Sequence, residues 1–180
     1  MSSIIAVYLL AFCQSVITLV FITSFVMKAK NFAAFNQVIR ELGIVPTSLS
    51  TLSGLLVLTG ELVIVLLMTI GQEFIEVGFF LANLLLSIFC ITLISVLARG
   101  INTTCNCFGS SKRIITFYDV WRNVGFVGCA VAGWLTHSTV AGRNVHLSLV
   151  EWGLVGLIAA MFVIVTTQVG EIAQFIRHNA

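Results

Sequence analysis

The chain has 180 residues, 59% hydrophobic and only 9% charged, with a formal net charge of +2 and a mean hydropathy of +1.10. About a quarter of an ordinary soluble domain is charged, so this composition excludes a water-covered globule. Without a Lys/Arg cluster so small a charge also excludes nucleic acid as a partner, and what remains is an integral membrane protein whose solvent is the lipid bilayer.

A membrane helix needs roughly 20 mostly apolar residues, and five stretches meet that need: 4–27, 49–70, 77–98, 117–135 and 147–169. The first has no basic segment ahead of it and is expected to be a full span rather than a cleaved leader. In the connector 28–47, Phe32, Phe35, Val38, Ile39 and Leu42 recur at helical spacing, which predicts a short interfacial helix. Pro46, the lone proline, falls in this connector, so the apolar runs lack the strongest helix breaker.

The second span carries Glu61 near its middle, where an ionisable group is costly and is a functional candidate by default. It suits a proton relay or a hydrogen bond to a quinone head group, and equally a protonated carboxyl bonded to a neighbouring helix, for instance to Asn83. A tight acidic turn, 71–76, leads to the third span. The connector 99–116 holds Cys105 and Cys107. The fourth span is the shortest and opens on Asp119 and Arg122, so its first turn belongs at the interface. A polar connector with His137, Arg143 and His146 precedes the fifth span, which Glu151 and Glu171 flank. Trp121, Trp134, Trp152, Tyr8 and Tyr118 fall near span ends, as interfacial anchors do. Small residues such as Gly54, Gly60, Gly125, Gly128, Gly133, Gly153 and Gly156 permit close helix approach in lipid and predict a compact bundle.

Three of the five cysteines, Cys13, Cys90 and Cys129, lie singly in apolar runs and are expected to act as small hydrophobes. Cys90 has a second reading, as an inner resolving thiol. Cys105 and Cys107 differ, because they sit between polar residues and the cations Lys112 and Arg113, which favour the reactive thiolate. A disulfide one residue apart closes a very small ring and is easily reduced, so the pair suits exchange better than stapling. Gly109, after Phe108, lets the backbone turn tightly there. A soft-metal site is the alternative, but two thiolates are half of a closed zinc set, and His137 and His146 belong on the opposite face. A non-catalytic loop is the third reading.

Orientation is contested. The side with the paired cysteines also holds Lys28, Lys30, Arg40, Arg99, Lys112, Arg113 and Arg177, against Arg143 alone on the other. The charge bias places the richer side in the cytoplasm, whereas stable disulfide chemistry prefers the outside. Arg122 snorkels to the head groups beside Asp119 on the simplest reading. Other readings place it beneath the cysteine loop, or against Glu61 across roughly 10 Å of depth at about 1.5 Å per residue.

The wider pattern is more specific. Cys105-x-Cys107-Phe108-Gly109, then Arg122-Asn123 opening an apolar helix, resembles the methylamine-utilisation MauE family. Phe25-x-x-Lys28, Phe32, Phe35 and Ile44-Val45-Pro46 fit the same resemblance, and Glu61 looks like the intramembrane acid of the related DoxX-like proteins. The resemblance implies an all-α integral membrane fold: a four-helix domain over 1–135, then a polar connector, a fifth helix and a short tail over 136–180. It implies a bacterial inner-membrane protein in thiol–disulfide traffic with a thioredoxin-like partner. Cys105 and Cys107 are then the exchanging pair, with Phe108, Gly109, Arg122, Asn123 and Glu61 in support. No cofactor is required on this reading, and a quinone is compatible with it. The alternative it leaves is a non-catalytic accessory subunit of a larger membrane redox or photosynthetic complex.

Overall fold

A computed structural model describes residues 2–43, 46–99, 117–140 and 147–178, with the side chains of 2, 3, 47, 72 and 169–178 left aside. Cys105, Cys107, Phe108, Gly109, Ile44, Val45, Arg143 and His146 therefore lie outside the described residues. Six helices are present among them: α1 Ser2–Lys30, α2 Phe32–Leu42, α3 Ser50–Ile70, α4 Ile75–Ala98, α5 Phe117–Val140 and α6 Leu149–His178. Two single 3₁₀ turns, Thr47–Leu49 and Gln72–Phe74, lead into α3 and α4.

Four stretches are long and apolar enough to cross a membrane: Ile4–Lys30, Ser50–Ile70, Ile75–Ala98 and Leu149–Gln168. Helix α5 occupies the remaining expected span. Its 24 residues make about 36 Å at 1.5 Å per residue, ample for a crossing, and it differs from the others in apolarity rather than length. The reason lies on its inner stripe, where Asp119 and Asn123 are buried in line with Phe126, Ala130 and Gly133.

Helix α1 packs on α3, α5 and α6, while α4 packs on α3 and α5. The four helices α1, α3, α4 and α5 thus close a ring around a core that includes Ile17, Phe21, Ile64, Phe79, Leu86 and Phe126. Helix α6 lies outside the ring, with Val155, Ala159 and Val163 turned inward. Its opposite face, including Leu149, Val150, Leu157 and Met161, is open, as an all-α membrane protein requires of its lipid side. A capping box starts α6: Ser148 N–H donates to Glu151 Oε2 at 2.7 Å and Glu151 N–H donates to Ser148 Oγ at 3.4 Å. Tyr8 of α1 also donates its hydroxyl to Glu151, so Glu151 ties the two helix beginnings together as well as marking an end.

Helix α2 fills the connector where the apolar spacing predicts it. It stops at Gly43, whose left-handed φ of 59° suits a residue without Cβ. The Gly43 N–H closes the last turn on the Arg40 carbonyl at 3.2 Å. Helix α2 rests on the opening turns of α3, where a Cβ on Gly54 would stand 2.5 Å from Asn36 Oδ1.

Close helix approach is confined to a few glycines. Gly54, Gly78 and Gly133 face a neighbour, whereas Gly125, Gly128, Gly153 and Gly156 have nothing within 4 Å of where a Cβ would stand. Buried small residues do lie on most spans, with Ser24 on α1, Gly54 on α3, Gly78 and Ala82 on α4 and Gly133 on α5, but Gly153 and Gly156 of α6 take no part. At Gly133 a Cβ would lie 2.4 Å from the Phe79 ring and 3.1 Å from Cys13 Cβ, so this glycine sets the distance of α5 from both α4 and α1. Gly133→Ala is expected to destabilise the bundle by about 1–3 kcal/mol through overpacking, and Gly125→Ala to change it by less than about 0.5 kcal/mol. Thermal unfolding in detergent checks the contrast.

Candidate functional site

The most deeply buried pair of charged groups lies between α1 and α3. Lys28 is the first charged residue of α1 and Glu61 the one charged residue of α3. Their side chains form an ion pair through Lys28 Nζ and Glu61 Oε1, exposed by 1% and 0%. Ser24, one turn before Lys28 and on the same face of α1, donates its hydroxyl to the same carboxylate oxygen at 2.8 Å. Two aromatic rings complete the surroundings of the ammonium. The Phe35 centroid is 5.2 Å and the Phe89 centroid 4.5 Å from Nζ, both inside the range in which a ring face attracts a cation.

The chain path explains the depth. Glu61 is eleven positions past Ser50 (61 − 50), about 16 Å down α3 at 1.5 Å per residue. Lys28 is only two positions from the end of α1. Helix α1 therefore ends well inside the level at which α3 begins, and α2 climbs alongside the opening of α3 to roof the gap with Phe35. Above the pair, Arg40 Nε donates to Ser50 Oγ at 3.0 Å, fastening α2 to α3.

An ion pair is the form in which such groups survive in an apolar interior, since either charge alone would be uncompensated. Oε1 is fully occupied. The other oxygen, Oε2, is buried without a hydrogen-bond partner among the described residues, so the carboxylate keeps one acceptor position for a proton or an incoming donor. That free acceptor is the chemical capacity of the centre.

Several site expectations change here. The partner of Glu61 is Lys28, supported by Ser24, and not Asn83, whose amide donates to the Phe79 carbonyl of its own helix at 3.0 Å. Nor is it Arg122. That guanidinium meets Asp119 on its own helix at 3.5 Å, with the two side chains 7% and 9% exposed, so Arg122 turns into the bundle instead of snorkelling to the head groups. Asn123 is buried beside them. This second polar cluster stands at the start of α5. There Val120 packs with Leu93, Val96 and Leu97 of α4 and with Leu42 of α2, so the two helix ends that carry the 100–116 connector meet under α2.

In the sequence Lys28 stands among the orienting charges at a span end, and nothing at its own position marks it as a site residue. The available signal was Ser24 and Lys28 four positions apart on one face, opposite a span with a single acid. The apolar cysteines likewise stand far apart in the sequence. Cys13 on α1 belongs to the core cluster against which Cys129 on α5 packs, while Cys90 is half-buried on α4.

These features define a small all-α, multi-pass membrane protein with a charge-neutral ionic centre inside its bundle. The family model of the methylamine utilisation protein MauE matches residues 6–136. The chain accordingly belongs to the MauE family, and the matched stretch takes in Lys28, Glu61, Cys105, Cys107, Arg122 and Asn123. No curated protein and no solved structure matches the chain.

Lys28→Met, which strands the carboxylate, is expected to cost about 3–5 kcal/mol of stability. Lys28→Met combined with Glu61→Gln is expected to recover more than half of that loss, because both charges leave together. A double-mutant cycle from unfolding in detergent reads this coupling.

Proposed function

We propose that this MauE-family protein is a thiol–disulfide exchange component of the bacterial inner membrane, working with a thioredoxin-like partner through Cys105 and Cys107. The observation that carries the reading is that the Cys105-x-Cys107 stretch falls within the matched residues 6–136, in the part of the sequence between α4 and α5. Redox chemistry suits two thiols so close together, since their disulfide is readily opened.

The exchange needs no outside oxidant. A partner thiolate attacks the Cys105–Cys107 disulfide, forming a mixed disulfide and releasing one cysteine as thiolate. The partner's second thiol then breaks the mixed bond. The partner leaves as a disulfide, and two electrons and two protons remain on Cys105 and Cys107. The reverse sequence hands them on. Arg122, Asn123 and Asp119 hold the start of α5, and with it one end of the connector, in a fixed position. The Lys28–Glu61 pair keeps a proton acceptor within the same domain.

Single substitutions test this reading. In cells, Cys105→Ser or Cys107→Ser is expected to accumulate a mixed disulfide with a thioredoxin-like protein on non-reducing gels, and the double substitution to abolish it. If neither single variant traps a partner at normal membrane levels, and the protein copurifies with a larger complex at fixed stoichiometry whether or not its cysteines are present, the accessory-subunit role replaces exchange.

A further inference from the structure

The three apolar cysteines are not equivalent, because α1 and α5 bring two of them together. Cys13 is 1% exposed, and Cys129 packs against the core cluster to which Cys13 belongs, on the helix that lies beside α1. The approach is built into the helix faces. Gly133, one turn beyond Cys129 on the same side of α5, is where a Cβ would stand 3.1 Å from Cys13 Cβ. Cys13 therefore sits against α5 at position 133, and Cys129 is one helical turn away on the same face.

Access is as important as proximity. Cys129 is only partly buried, and its neighbours Gly125 and Gly128 are exposed with open space at their Cβ positions. The approach to Cys129 is thus clear of side chains on the bilayer side of α5. Cys129 is also twelve positions from Phe117 (129 − 117), about 18 Å along the helix, far from the opening of the helix that carries Cys105 and Cys107 on its preceding connector. Whatever oxidises this pair has to reach it from within the lipid.

We infer that Cys13 and Cys129 are a second redox site, an intramembrane dithiol that closes reversibly to a disulfide joining α1 to α5 by passing electrons to a lipid-soluble quinone. In the step one S–S bond forms and two S–H bonds break. The two electrons and two protons go to the quinone, which leaves as the quinol. A water-soluble oxidant lacks this route, since the contact lies well inside the apolar region of the bundle. The inference is independent of the exchange role of the connector cysteines and survives if that role fails.

The test uses the full chain in phospholipid vesicles, with Cys90→Ala, Cys105→Ser and Cys107→Ser so that only the inferred pair remains. The protein is reduced, freed of reductant and given a short-chain ubiquinone. Maleimide-accessible thiols after denaturation are expected to fall from two per chain to none, with one quinol formed per chain, and adding Cys129→Ala is expected to stop quinol formation. In parallel the wild-type protein, treated likewise and digested without reduction, is expected to give a peptide linking Cys13 to Cys129, which keeps the test independent of how the variants fold. Two thiols persisting in the quinone-treated chain, together with no linked peptide from wild type, would overturn the inference. A linked peptide formed with diamide but not with quinone would equally overturn it, because the pair would then lie close without using the proposed acceptor.

Discussion

A lysine and a glutamate placed together in an apolar bundle constrain everything around them. Each charge alone is prohibitively placed, so α1 and α3 must meet at Lys28 and Glu61 and at no other register. Ser24 supplies a second donor to the same oxygen, and the Phe35 and Phe89 rings give the ammonium an apolar yet electrostatically favourable enclosure. The position of α2 follows from this pairing. Since α1 ends at the level of the pair, the next helix has to cover it, and the contact of α2 with Gly54 on α3 holds that cover in place.

Around this centre the polar residues are distributed by depth. The Asp119–Arg122 pair and Asn123 occupy the opening turns of α5, and the deeper turns of the same stripe pass to Phe126, Ala130 and Gly133. One helix thereby serves both the polar end of the domain and its close-packed middle. This division explains why α5 is the least apolar of the long helices while being packed against both α1 and α4. Its inner face is read by protein rather than by lipid, so hydropathy understates how deeply it is embedded.

Much of the fold is legible in the sequence because bilayer thickness imposes it. Apolar runs of the right length name the long helices, and the spacing of Phe32, Phe35, Val38, Ile39 and Leu42 names α2. The candidate site is less legible, since pairing in space is not encoded in local spacing. Glu61 stands out as an isolated acid, yet its cation sits 33 positions away, at a span end where lysines usually serve as interfacial charges. Arg122 misleads in the opposite sense: its place at a span end suggests head-group contact, but Asp119 one turn earlier draws it inward. Glycines mislead likewise, because Gly133 and Gly125 look alike in a string of letters and differ only in what faces them.

The ion pair also bears on how the chain enters the membrane. Lys28 and Glu61 lie on α1 and α3, the first two long helices to emerge during synthesis, whereas the partners of α1 on α5 and α6 are made last. Chains assemble from their N-terminal end as they are made, so the two groups most costly to leave bare in hydrocarbon are matched before the rest of the bundle exists. The pair thus fixes a two-helix nucleus that waits, already charge-neutral, for the later helices to dock on the open side of α1.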